Sequence, residues 1–203
     1  LTPRLVGQGF RAVAAGGKHS LALHTDGSLW AWGLNNLGQL GDGGTGSATV
    51  PRRIGAGYRY IAAGHAHSVA IKDDTSLWAW GNNAEGEVGR PIDTPCNAGG
   101  QPTCFVNTPV RLGIGFGAIA AGHAHTLALQ TDGTLWAWGL NDAGQIGDGR
   151  AGRLAGQATH KIVGHGYTGV AAGGLQSYGF KNDGSVWAWG NFSGVQPQRM
   201  GNV

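Results

Sequence analysis

A six-residue string that recurs four times limits what this chain can fold into: SLWAWG at 28–33 and again at 76–81, TLWAWG at 134–139, and SVWAWG at 185–190. The flanking residues align with it. Upstream lie AVAAGGKHSLALHTDG (12–27), YIAAGHAHSVAIKDDT (60–75), AIAAGHAHTLALQTDG (118–133) and GVAAGGLQSYGFKNDG (169–184). Downstream lie LNNLGQLGDGG (34–44), NNAEGEVG (82–89) and LNDAGQIGDG (140–149), followed by a Pro-and-Arg segment, VPRRI (50–54), TPVRL (108–112) and a looser HKIV (160–163). The chain opens on TPRLV (2–6) and closes on QPQRM (196–200), which adds one further copy of that segment. A period of about 50 residues marks a repeat architecture, in which each unit buries its apolar face only by stacking on its neighbours.

Within a period the side chains alternate as in strands. HSLAL and SLWAW each run with period two and are joined by a TDG-type turn, in which glycine accepts a positive φ. Trp30 and Trp32 then share one face, Leu29 and Ala31 the other, and both faces are apolar, which places the strand between two layers. No stretch carries a helical period. The composition agrees, with 40 glycines among 203 residues and only 12% charged residues, as suits an all-β chain with many tight turns. The expected fold is all-β: propeller blades of about four antiparallel strands, four repeats in one domain over 1–203. Repeat boundaries fall near 3–50, 51–108, 109–159 and 160–203, with an insertion at 90–107. Trp30, Trp32, Trp78, Trp80, Trp136, Trp138, Trp187 and Trp189 are expected to fill the wedges between blades. Each tryptophan buries roughly 200 Å², at roughly 25 cal/mol per Å².

The pattern AAG-x-x-H-S-x-A-L, then D-G, L-W-A-W-G-x-N and G-Q-L-G, resembles the repeat of the regulator of chromosome condensation family and covers essentially the whole chain. The resemblance implies a β-propeller, usually of seven blades, so four repeats imply a stretch of a longer array, completion by another chain, or closure as a short ring. It also implies a structural role for the HS histidine. Two functional models come with the family: a eukaryotic guanine-nucleotide exchange factor for the Ran GTPase that binds chromatin, and secreted bacterial propellers that inhibit β-lactamases. Near-identical repeats and low charge look more like a bacterial, secreted or surface member.

Departures from the repeat are the candidate sites. His19, His67 and His125 recur at one position, replaced by Gln176 in the fourth repeat, while His65 and His123 add an HAH in two repeats. Alternating histidines can bind zinc or copper, but no cysteine or carboxylate recurs beside them, so no metal is expected. His65 and His123, facing a turn, are partner-binding candidates. GHGYTG (164–169) satisfies the dinucleotide fingerprint, yet a strand-like VAAG follows it where a helix is needed, so no cofactor is expected. No catalytic motif stands out, and four copies of a His-Ser step read as scaffold, which makes the chain non-enzymatic.

The insertion RPIDTPCNAGGQPTCFVN (90–107) contains the two cysteines, Cys96 and Cys104, which can form a disulfide in an oxidising compartment or half of a zinc site. Its Asp93, Gln101 and Phe105 are further partner-binding candidates. Arg53, Arg111 and Arg199, with Arg4 and Lys161, recur in the Pro-and-Arg segment, where they can grip an acidic partner or simply guard an edge strand.

The formal charge of +3 is spread along the chain, which argues against nucleic acid, and no apolar run reaches the length of a membrane span. The only methionine is Met200, so a processed protein or an internal stretch is expected. The reading that follows is a non-enzymatic, protein-binding propeller. Its alternatives are an exchange factor for a small GTPase, a structural subunit whose open edges self-associate or belong to a longer chain, and a carbohydrate binder using exposed tryptophans or Tyr58, Phe116 and Tyr167.

Overall fold

The computed structural model describes residues 2–3, 5–90, 104–152 and 157–200. These form four antiparallel sheets, each a four-strand meander. Blade 1 comprises β1 (Phe10–Ala15), β2 (His19–His24), β3 (Leu29–Gly33) and β4 (Ala48–Gly55); blade 2, β5 (Tyr58–Ala63), β6 (His67–Lys72), β7 (Leu77–Asn82) and β8 (Phe105–Gly113). Blade 3 comprises β9 (Phe116–Ala121), β10 (His125–Gln130), β11 (Leu135–Gly139) and β12 (Gln157–Gly164); blade 4, β13 (Tyr167–Gly173), β14 (Gln176–Lys181), β15 (Val186–Gly190) and β16 (Gly194–Arg199). The repeated hexapeptide is thus the third strand of every blade. The Pro-and-Arg segment is the fourth, so the first three sheets close a few residues beyond the boundaries expected from the sequence, at Gly55, Gly113 and Gly164.

Blades stack in chain order, with the first strands side by side along one inner edge. Leu21, Leu23, Leu29, Ala31 and Leu40 of blade 1 pack against Tyr58, Ala70 and Trp80 of blade 2. The same wedge recurs with Leu77, Ala79 and Val88 against Phe116, Ala128 and Trp138, and with Leu135, Ala137 and Ile146 against Tyr167 and Trp189. The Leu-Ala face of one hexapeptide therefore meets the Trp-Trp face of the next, as apolarity on both faces requires.

The tryptophans divide into two classes. Trp80, Trp138 and Trp189 are fully buried, whereas Trp30, Trp78, Trp136 and Trp187 are half-buried at the blade end. Trp32, with no blade described before it, is also half-buried. The expectation that all eight are core holds in full only for three. The physical reason is that a leading tryptophan lies near the hairpin turn, where its indole N–H bonds locally: Trp30 to Ser28 Oγ (2.8 Å), Trp78 to Ser76 Oγ (2.7 Å) and Trp187 to Ser185 Oγ (2.9 Å).

Glycine is required where the hexapeptide ends. At Gly139 (φ +101°) an added Cβ would lie 2.5 Å from the Ala124 carbonyl oxygen. That close approach lets the Leu140 amide donate to the same carbonyl at 2.8 Å, turning the chain out of the sheet.

Candidate functional site

A His, a Ser or Thr, and a backbone carbonyl meet at every blade boundary. Ser68 Oγ donates to the Gln39 carbonyl (2.8 Å), Thr126 Oγ1 to the Glu87 carbonyl (2.9 Å) and Ser177 Oγ to the Gln145 carbonyl (2.8 Å). The same three carbonyls accept the indole N–H of Trp80, Trp138 and Trp189 at 2.8–2.9 Å. Each hydroxyl also contacts Nε2 of the preceding blade's histidine: His19 to Ser68 (2.9 Å), His67 to Thr126 (3.1 Å) and His125 to Ser177 (2.9 Å).

A hydroxyl has one proton, and here the carbonyl takes it, so Nε2–H must be the donor toward oxygen. Nδ1 is then the bare nitrogen, and in His19 and His125 it has no partner among the described residues. Burial pushes His19 and His125 down to about 4 and, helped by its histidine neighbours, His67 to about 3, leaving all three neutral at pH 7. A hydroxyl locked to a carbonyl beside a neutral, buried imidazole is a clamp and cannot act as a nucleophile–base pair.

Blade 2 departs from its siblings inside this clamp. Where the others have Gln39 and Gln145, it has Glu87, and where they have Leu34 and Leu140, it has Asn82. Asn82 Nδ2 donates to Glu87 Oε1, and the Glu85 amide to Oε2 at 2.9 Å. Despite these bonds, burial raises the Glu87 carboxyl to about 7.

His65 and His123 sit together, as the sequence suggested, with rings stacked at 4.5 Å between centroids. They belong to a collar at one end of the inner strands. In it the Gly17 amide donates to the His65 carbonyl (3.1 Å), the His65 amide to the His123 carbonyl (3.0 Å), and the His123 amide to the Gly174 carbonyl (2.8 Å). The collar frames a shallow concavity of about 300 Å³ walled by alanines and glycines. His67 and His125 point away into the clamps, so the HAH pairs do not converge. No group of three metal-ligating side chains occurs among the described residues.

Arg53, Arg111 and Arg199 hold the same register position on the fourth strands of blades 1, 2 and 4, exposed and cross-strand from Trp30, Trp78 and Trp187. Arg4 lies outside the described residues. Phe105, half-buried, opens β8 opposite Asn82. Asp93, Gln101 and Cys96 lie outside the described residues, and the expected Cys96–Cys104 bridge with them; Cys104 is described, and its carbonyl accepts the Asn83 amide at 2.7 Å. The fingerprint at 164–169 connects β12 to β13, a strand where a nucleotide site needs a helix. Tyr58, Phe116 and Tyr167, expected as sugar platforms, are only 3%, 9% and 5% exposed, because each ring seats on a glycine three residues before it, Gly55, Gly113 and Gly164.

One arrangement escaped the sequence reading. In blade 2, Lys72 Nζ lies 4.7 Å from the Tyr58 ring centroid and 4.5 Å from that of Trp78; in blade 4, Lys181 Nζ lies 4.8 Å from Tyr167 and 4.7 Å from Trp187. Each lysine closes an aromatic cradle at the blade end. The signal was available in the strand register, which pairs Lys72 with Tyr58 and Lys181 with Tyr167.

Models of the regulator of chromosome condensation (RCC1) repeat match residues 10–39, 58–87 and 118–145 in one form, and 26–71 and 74–129 in another. The human probable E3 ubiquitin-protein ligase HERC3 is 45% identical over 184 residues, which is 89% of this chain and 17% of HERC3. Human E3 ubiquitin-protein ligase HERC2 is 31% identical over 190 residues, covering 89% of this chain and 4% of HERC2. Among solved structures, Prp20p of Saccharomyces cerevisiae, reported with its binding properties to Gsp1p and histones, superposes with a TM-score of 0.80 at 26% identity, over 96% of this chain and 51% of Prp20p. Human WBSCR16 superposes with a TM-score of 0.77 at 20% identity, over 94% of this chain and 52% of its own. The chain thus spans a small part of the HERC proteins and about half of Prp20p. These relatives are eukaryotic, and the expected bacterial type gains no support from them.

Proposed function

The chain belongs to the regulator of chromosome condensation repeat family, and from that premise we propose that it is a non-enzymatic, protein-binding propeller module. The observation that carries this reading is where the recurring polar groups go. The histidines, the Ser or Thr hydroxyls and the buried indole N–H groups are all committed to the blade boundaries. Recognition is left to the groups outside the clamps: the collar histidines His65 and His123, the exposed fourth-strand residues Arg53, Arg111 and Arg199, and Asp93, Gln101 and Phe105 of the insertion. A rigid scaffold presenting variable loops suits protein recognition. Prp20p supports the reading by its reported binding to Gsp1p and histones.

The test is to titrate the chain with a Ran-type GTPase and with core histones, in the native form and with Arg53, Arg111 and Arg199 changed together to Ser. Binding that weakens in the variant, with nucleotide release from the GTPase unchanged, supports the proposal. Accelerated release replaces it with the exchange-factor reading, and no binding to either class removes the support drawn from Prp20p. The Cys96–Cys104 bridge, and with it a secreted or surface location, is proposed on the sequence alone and is read from an intact mass two hydrogens light.

The face of blade 1 that carries Trp32 supports a companion reading as part of a longer array or assembly. Ser20 Oγ and Trp32 Nε1 occupy the places of Ser68 and Trp80, yet have no partner among the described residues.

A further inference from the structure

Blade 3 has the aromatic cradle without its lysine. Phe116 and Trp136 stand where Tyr58 and Trp78 stand in blade 2, but the residue cross-strand from Phe116 is Gln130. Its Oε1 accepts the Trp136 indole N–H at 3.0 Å, which draws the amide off the ring faces. In blades 2 and 4 that indole N–H is bound by a serine; blade 3 has Thr134 there, whose hydroxyl is engaged by His165 at 3.1 Å. The space left is a cavity of about 200 Å³ lined by Leu112, Ile114, Phe116, Gln130, Trp136 and His160. That is side-chain size, below the range of most small-molecule pockets.

A second cation is missing at the same place. The residue cross-strand from the leading tryptophan is Arg53, Arg111 or Arg199 in the other blades and Ile162, half exposed, in blade 3. The turn carboxylate feels the difference. Asp74 has Lys72 and Arg111 as charge neighbours and Asp183 has Arg199, whereas the charge neighbour that acts most on Asp132 is His165. The blade 3 cradle thus presents two ring faces, an apolar wall, the His160 ring and the turn carboxylate, with Gln130 and Ile162 at the two positions that hold lysine and arginine in blades 2 and 4.

We propose that this cradle binds the ammonium side chain of a lysine presented by a partner protein, seated as Lys72 and Lys181 are seated in blades 2 and 4. The walls at Leu112 and Ile114 would hold the four-carbon stem, the rings of Phe116 and Trp136 would face the charge, and Asp132 would add its field. Arginine is disfavoured because the two occupants the fold already accommodates are both lysines. The inference deepens the protein-binding reading by naming the chemistry of one contact.

The test uses Nα-acetyl-lysine N-methylamide, with the norleucine and Nε-acetyl-lysine amides as uncharged probes on the same stem, followed through the Trp136 indole N–H resonance at pH 7. A saturable shift with affinity about 10-fold better for lysine than for either uncharged probe is expected. Gln130→Lys, which copies blades 2 and 4, should abolish it with the other indole resonances in place. Equal affinity for the uncharged probes, no shift at millimolar lysine amide, or persistence of the shift in Gln130→Lys would each overturn the proposal. The comparison among probes needs no variant, so it stands even if Gln130→Lys fails to fold. Failure here refutes the cradle alone, since the GTPase and histone titrations test the broader reading separately.

Discussion

Replacing Glu87 by Gln should stabilise the protein, by an amount that depends on pH. Glu87 is 1% exposed, and its carboxyl is raised from an ordinary 4.5 to about 7. The folded state therefore holds a proton that the unfolded state has lost between those values, so stability falls as pH rises through the window. At about 1.4 kcal/mol for each tenfold change in proton affinity, that displacement sets a ceiling of about 3 kcal/mol. Integrated over the two titrations, the cost is about 1 kcal/mol at pH 5 and about 3 kcal/mol at pH 8.

Gln at this position has two templates in the same chain. Gln39 Oε1 accepts the Leu37 amide at 2.9 Å and Gln145 Oε1 the Ala143 amide at 2.8 Å, the place of the Glu85 amide in blade 2. A half-turn of the Asn82 amide then offers its oxygen to the new NH₂. Urea unfolding of both proteins at pH 5 and pH 8 measures the difference, and the histidines cancel because both proteins carry them. The variant should gain about 2 kcal/mol relative to the native chain between the two pH values. A difference independent of pH, or a variant less stable at pH 8, would refute the claim that Glu87 is buried at a cost.

The clamp histidines work in the opposite direction. Their folded values of about 3 to 4 lie below the ordinary 6.5, so the unfolded state takes up protons first and stability falls on acidification below pH 6.5. Unfolding of the Glu87→Gln variant at pH 7 and pH 5 should show a loss of about 2 kcal/mol per clamp histidine. Ser177→Ala removes the hydroxyl that joins His125 Nε2 to the Gln145 carbonyl and should cost about 1–3 kcal/mol in urea unfolding. Ser20→Ala, at the same repeat position without a partner, should stay within about 0.5 kcal/mol. Thr75 holds φ +64° where the other hairpin turns have Gly27, Gly133 and Gly184. Thr75→Gly should raise stability by about 1 kcal/mol, less what the 3.2 Å bond from the Gly115 amide to Thr75 Oγ1 contributes. A lower unfolding midpoint in that variant would show that the bond outweighs the strain.

Much of the fold was legible because the strands announce themselves locally: alternation in HSLAL and LWAW, a TDG turn between them, and apolarity on both faces of the hexapeptide. The class of architecture follows from those three features. What was not legible lies across the sheets. Nothing in the string SLWAWG says that Trp80 reaches back to the Gln39 carbonyl while Trp78 bonds its own Ser76, since that depends on which blade stands in front. The joint departure of Asn82 and Glu87 could be seen by aligning repeats, but its meaning needed their contact. Tyr58, Phe116 and Tyr167 were read as exposed platforms because a single sequence does not show each ring seated on the glycine three residues before it. The collar pair His65 and His123 was found in sequence because repetition itself placed two histidines at equivalent turns of adjacent units.

The carbonyl at 39, 87 and 145 gives the stack a direction. Each blade extends donors backward, a hydroxyl and an indole, and offers an acceptor forward on the G-Q-x-G or G-E-x-G turn. Blade 4 breaks that rule: β16 begins four residues after Gly190, no such turn intervenes, and Gln176 replaces the clamp histidine with a buried, unpartnered Oε1. In the language of a growing polymer, the described stack has two chemically unlike ends. A further unit of the same kind can be added in front of Trp32 with all its bonds satisfied. A unit stacked behind Trp189 would meet the Gln176 amide in place of the clamp histidine and no G-Q-x-G turn, so that boundary would be built differently from the other three.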